Sequence, residues 1–188
     1  MSNEKPILFS GEMVRAILEG RKAQTRRSVK CPAWFEGHLI YYKEGIGTAC
    51  NISSRDGAQQ ISCPYGQVGD RLWVKETHLP KASGTIYRAD FDSVEAAGIG
   101  AMYGGWKPSI FCKRIYSRIT LEIASVRAER LQDISHRDAL AEGVTYDVSK
   151  PDGSPLARYK TLWESINGKG SWAKNPWVWV IEFKRILP

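Results

Sequence analysis

Two stretches of strict alternation constrain this chain more than anything else in it. Ile119, Leu121 and Ile123 alternate with Thr120, Glu122 and Ala124; near the C-terminus Trp179, Ile181 and Phe183 alternate with Val178, Val180 and Glu182. A period of two sends successive side chains to opposite faces, so each stretch reads as a strand with one face on a core. Further strand patterns lie at Ile7–Phe9 and at Arg71–Lys75, where Leu72 and Val74 share a face, with candidates at Leu39–Tyr42, Ala49–Ile52 and Thr85–Arg88. Three helical patterns fall irregularly among them. Ser10 can cap one that carries Met13, Val14, Ile17 and Leu18 and stops at Gly20. Ser135 with Asp138 makes a capping box for a second that ends at Gly143. Ser154 before Pro155 opens a third, with Leu156, Tyr159, Trp163 and Ile166 turned inward. Strands and helices that do not alternate regularly argue against a doubly wound parallel sheet. They predict an α+β fold, a small and mostly antiparallel β-barrel or curled sheet with inserted helices.

The 188 residues suit a single domain spanning 1–188, and 43% hydrophobic with 25% charged residues is ordinary globular composition. Residues 31–67 and 78–117 have little periodicity and read as two loop insertions on the smaller core. No apolar run approaches the ~18 residues of a membrane span, and Met1 to Lys5 lead only into a short apolar run. The expectation is a soluble, cytoplasmic protein with no membrane partner. Cys31, Cys50, Cys63 and Cys112 form no C-x-x-C pair, and His38, His78 and His136 share no ligand or catalytic spacing, so reduced structural thiols and no metal are expected. A phosphate loop, a nucleotide fingerprint and a nucleophile elbow are all missing, and no cofactor is expected.

Charge narrows the partners. The net charge is +7, and the excess is clustered: Arg15, Arg21, Lys22, Arg26, Arg27 and Lys30 accompany one acid, Glu19, while Lys107, Lys113, Arg114 and Arg118 accompany none. Clusters of this kind fit a polyanion through counterion release; they equally fit a solvated basic face. Stacking on aromatic side chains beside cations is how single strands are held. Trp73, out of phase with Leu72 and Val74, and Trp106, beside basic residues, are the two tryptophans that suit such a role, whereas Trp163 and Trp179 suit a core.

The segment Gly20-Arg21-Lys22-Ala23-Gln24-Thr25-Arg26-Arg27 leaves a helix directly, and in an extended chain Lys22, Gln24 and Arg26 share one face and Thr25 and Arg27 the other. By itself it is a basic loop. Together with Val68–Glu76 (VGDRLWVKE), Arg118–Ser135, Ala139–Val144 and Asn175–Ile186 (NPWVWVIEFKRI), it resembles the ASCH family, whose fold is the PUA-like β-barrel. The long form, with Lys107–Phe111 (KPSIF) before the strand, resembles phage and prophage versions. The resemblance implies a partner that is RNA or a modified nucleoside. One branch of the family removes the acyl group of 4-acetylcytidine with a Lys, a Thr and a Glu, which match Lys22, Thr25 and Glu142 here. Arg21, Arg26, Arg27, Trp73, Glu76 and Trp106 are the candidate ligand contacts. Amide hydrolysis asks for a nucleophile or positioned water, a proton acceptor and oxyanion stabilisation. Burial and neighbouring cations would lower the Lys22 pKa and make it a base; a contact with Glu142 would raise it and leave Glu142 the better base. A non-catalytic RNA-binding module is the alternative, and a ribonuclease the third reading, without a histidine pair to support it.

Overall fold

The computed structural model describes residues 3–30, 41–42, 51–53, 60–149 and 152–187. In chain order they form β1 (Glu4–Leu8), α1 (Gly11–Leu18), β2 (Gln24–Ser28), β3 (Tyr41–Tyr42), β4 (Asn51–Ser53), β5 (Gln60–Ser62), β6 (Arg71–Lys75), β7 (His78–Lys81), β8 (Gly84–Tyr87), α2 (Ser93–Met102), β9 (Thr120–Arg130), α3 (His136–Ala141), α4 (Pro155–Asn167) and β10 (Trp177–Ile186). Five of the strands make one mixed sheet in the order β1-β6-β9-β10-β2, with β1 parallel to β6 and the other pairings antiparallel. The architecture is α+β, as the alternating stretches predict.

The barrel is not closed. β1 and β2 are the two edges of the main sheet; α1 links them along the chain, and the Arg27 guanidinium donates to the Leu8 carbonyl where a backbone ladder would run.

The strands at the centre are the two alternating stretches, paired from Trp177 opposite Arg130 to Ile186 opposite Thr120. The register slips once: Glu182 faces Ser125, but Phe183 faces Ile123, leaving Ala124 as an extra residue, a β-bulge. Because side chains alternate, the extra residue reverses the phase of everything after it. Leu121, Ile123 and then Val126 therefore enter the same core, with Ile7, Val14, Ile17, Leu72, Val74, Trp179, Ile181 and Phe183. Arg127 and Glu129 turn to the opposite face.

That opposite face is covered as well. Val178 and Val180 pack with Leu131, Ala139, Tyr159 and Trp163 in a second core beneath α3 and α4. β10 is thus buried on both faces. Ile166 departs from the expected inward set: it is exposed near the last turn of α4, while Tyr159 and Trp163 are buried. The Ile166 side chain borders an open cavity beside β2 and is not part of the second core.

The caps form as the sequence predicts. Ser10 accepts from the Met13 amide, Ser154 from the Ala157 amide, and Gly20 takes a left-handed φ of 74° at the exit of α1. Ser135 and Asp138 bond reciprocally at the start of α3. Burial raises the Asp138 pKa, but Ser135, Arg26 and Arg127 outweigh it and hold the carboxyl below its ordinary value. Ser135→Ala is expected to cost about 1 kcal/mol in urea unfolding at neutral pH. The stability that Asp138 contributes is present above its unfolded pKa and is lost as pH falls through the lower folded value. The gap between the wild-type and variant curves should therefore narrow in acid, leaving the bond from the Asp138 amide to Ser135 Oγ, which does not titrate.

Residues 78–117 are more ordered than their sequence suggests. They hold the β7–β8 hairpin and α2, the latter opened by a capping box of Asp92 and Glu95. Earlier in the chain, β3 and β4 pair antiparallel and β5 adds a third strand. That pairing includes the described part of the hairpin expected at Leu39–Tyr42 and Ala49–Ile52; Leu39, Ile40, Ala49 and Cys50 lie outside the described residues, as do Cys31 and His38. Cys63 and Cys112 are buried free thiols. Among the described residues no helix is long and apolar enough to cross a membrane, and no cluster of His, Cys, Asp or Glu could hold a metal ion.

Candidate functional site

The opening between the sheet edges is a cavity of about 300 Å³. Leu8 and Phe9 form one wall, Thr25 and Arg27 of β2 another, Tyr159 and Trp163 of α4 the floor, and Glu142 one end. This volume is at the small end of ligand pockets, and its mix of aromatic walls with a few polar groups is typical of them.

Three sequence-expected residues meet around Glu142. That residue caps the C-terminus of α3, and Gly143 follows with φ 93°, where a Cβ would stand 3.0 Å from the Ala16 Cβ and 3.1 Å from the Lys22 Cβ. This close approach lets residue 142 pair with residue 22 as an isolated antiparallel bridge. Lys22 Nζ then donates to the Glu142 carbonyl at 2.8 Å and to its Oε2 at 2.8 Å, while Arg26 Nη1 donates to Oε1 at 3.2 Å. The side chains of Lys22, Arg26 and Glu142 are 0%, 0% and 2% exposed, so this is an ion cluster inside the protein.

Alternation along β2 separates its two arginines. Gln24 and Arg26 face α3. Arg26 also pairs with Glu129 at 2.5 Å and Asp138 at 3.5 Å, and Arg127 joins Glu129, Asp138 and Glu182. Arg27 takes the other face, 5.3 Å from the Phe9 ring centroid, with no carboxylate partner among the described residues; its Nε is buried without an acceptor. Thr25 is buried on that same face and lines the cavity.

Lys22 stands just behind the cavity, its Nζ 5.6 Å from the Phe9 ring centroid. Burial lowers its pKa from the ordinary lysine value. The Glu142 carboxylate opposes the shift, and Arg27 and Arg26 add to it, so the net direction is down. Burial also raises Tyr159 well above the ordinary tyrosine value, keeping the phenol neutral.

The remaining expected contacts lie elsewhere. Arg21 is exposed, bonded to Glu19 and to the Gly143 carbonyl at 2.9 Å, and borders a larger open cleft of about 1160 Å³. Glu142, Met13 and Leu162 line both spaces and form their common wall. Glu76 is buried under Arg118, which also grips Asp90; burial raises the Glu76 pKa and Arg118 opposes it. Trp106 is packed under α2, its indole donating to the Ala96 carbonyl at 2.7 Å. Trp73 is half-buried on the outer face of β6 with Lys75 Nζ 5.8 Å from its ring. None of Arg21, Glu76, Trp73 or Trp106 lines the smaller cavity. Phe9, Tyr159 and Trp163, which do line it, carry no motif; the Tyr-x-x-x-Trp spacing marks only a helix face.

This chain is similar to an ASCH domain of known structure. The crystal structure of an ASCH domain from Lactobacillus crispatus JV V101 matches over 97% of this chain and 79% of that chain, with 13% identity and a TM-score of 0.45. No protein-family model and no curated protein matches the chain.

Proposed function

We propose that the cavity at the β2 edge binds a nucleobase, free or within RNA, and that Thr25, Lys22 and Glu142 hydrolyse an acyl amide on a modified cytidine there. The observation that carries this reading is a cavity of nucleobase size lined by Thr25 and Glu142, with a buried lysine of lowered pKa against the same glutamate. Lys22 in its amine form takes the Thr25 hydroxyl proton as Oγ1 attacks the acyl carbonyl. The C–N bond breaks, and the exocyclic nitrogen leaves with that proton as the free amine. Water then cleaves the threonyl ester, releasing the carboxylic acid and restoring the hydroxyl. Glu142 holds Lys22 in place, and the unpartnered Nε–H of Arg27 is the donor best suited to the developing oxyanion.

One observation favours a binding module without chemistry: both Glu142 carboxylate oxygens already accept from cations, as a purely structural ion pair would have them. Chromatographic turnover of 4-acetylcytidine and related acylated cytosines separates the two. Conversion to cytidine should fall at least about 100-fold in Thr25→Val, which keeps the shape of the side chain and removes the nucleophile. No conversion by the wild type, with RNA still bound, would leave the binding module.

A further inference from the structure

The segment from Lys107 to Ile115 has a surface that the base cavity does not use. Within six residues Ile110, Phe111 and Ile115 are 62%, 68% and 81% exposed. They stand on two short 3₁₀ turns, Ser109–Phe111 and Arg114–Tyr116, which are held from below by backbone and side-chain contacts. Lys75 Nζ bonds the Ile110 carbonyl, Arg114 pairs with Glu4 at 2.9 Å, Ser117 Oγ donates to the Val74 carbonyl and Cys112 is buried between the turns. The chain is thus anchored to the outer face of β6 while its apolar side chains point to solvent. Scattered exposed apolar residues need no explanation, but a fixed cluster of them marks an interaction surface.

Its charge selects the partner. Lys107 and Lys113 are exposed and have no ion-pair partner among the described residues, and no acid occurs between Lys107 and Arg118. Its position selects the register. Ser109, at the near end, lines the base cavity together with Leu8 and Arg27, so the surface begins at the cavity rim.

We propose that residues 107–115 form a landing surface for single-stranded RNA, with Phe111 stacking on a base, Lys107 and Lys113 meeting phosphates, and a neighbouring nucleotide directed into the cavity. The inference rests on the cavity being a base site. Alternating apolar and cationic side chains match the alternation of bases and phosphates along a strand. A second copy of this chain suits the surface less well, because a two-fold contact would bring the same uncompensated lysines together.

The test measures two substrates in parallel: anisotropy of a labelled single-stranded RNA carrying one 4-acetylcytidine, and turnover of the free nucleoside. Phe111→Ala should weaken RNA binding about tenfold. Lys107→Ala with Lys113→Ala should flatten the dependence of log affinity on log salt by about 1.4. Free-nucleoside turnover should be unchanged in both, because the cavity alone serves it. RNA affinity and salt slope that ignore both changes overturn the proposal, as does a wild-type dimer that Phe111→Ala converts to monomer. Absence of nucleoside turnover with RNA binding still sensitive to Phe111 supports the surface and removes the hydrolase reading alone.

Discussion

Glu142→Ala is expected to lower the unfolding free energy by about 3–5 kcal/mol at pH values where Lys22 is charged, because it leaves two buried cations facing a gap. Lys22 and Arg26 are fully covered, and Glu142 supplies a carboxylate oxygen to each. Arg26 keeps Glu129 and Asp138; Lys22 keeps only the residue 142 carbonyl. Most of the loss should therefore come from Lys22. Adding Lys22→Met to Glu142→Ala should recover part of it, a coupling that a double-mutant cycle in urea reads directly. A loss below about 1 kcal/mol for Glu142→Ala would show that water reaching in from the cavity solvates the lysine, as it does for surface pairs.

Lys22→Met is expected to abolish a pH dependence as well as a reaction. With its folded pKa below the ordinary value near 10.4, Lys22 is neutral in the folded protein over a window in which the unfolded chain still binds its proton. In that window the unfolded state holds more protons, so wild-type stability rises with pH, and the unfavourable contribution of the buried ammonium is greatest below the folded pKa. Lys22→Met removes the rise. Turnover should climb with pH over the same window, as the amine form accumulates, and fall by about 10²- to 10⁴-fold in the variant. Unfolding free energies and rates measured across pH for both proteins check this. Equal pH slopes in the two would mean that Glu142 holds Lys22 charged throughout.

Much of the framework is legible in the sequence because it depends on local chemistry. The alternation around Leu121 and Trp179, the cap at Ser10 and the Ser135–Asp138 box each specify their element without help from distant residues. Other features are not local. α2 carries a good capping box at Asp92 and Glu95, but its apolar residues make no stripe, so periodicity gives no sign of it. The meeting of Lys22 with Glu142 spans 120 residues and depends on Gly143 allowing the two backbones to approach. Arg26 and Arg27 are neighbours of one residue type; only the pairing of β2 with β10 decides that the first enters an ion cluster and the second a cavity. Glu76 and Trp106 illustrate the converse, since their residue types suit ligand contact while packing gives them Arg118 and α2 as partners.

The extra residue at Ala124 makes this ion cluster indifferent to chain length at one point of β9. Arg26, Val180 and Arg127 lie side by side across three strands, and the residue that β9 carries in excess of its partner sits outside that row, between Ile123 and Ser125. Substitutions along β9 alter the cluster one contact at a time. Loss of the single codon for Ala124 would leave Ile123, Ser125 and Val126 opposite Phe183, Glu182 and Ile181, an unbroken alternation that keeps Val126 in the core and Arg127 beside Val180. A gene for this fold can therefore lose one codon there without moving a charge from one face of the sheet to the other.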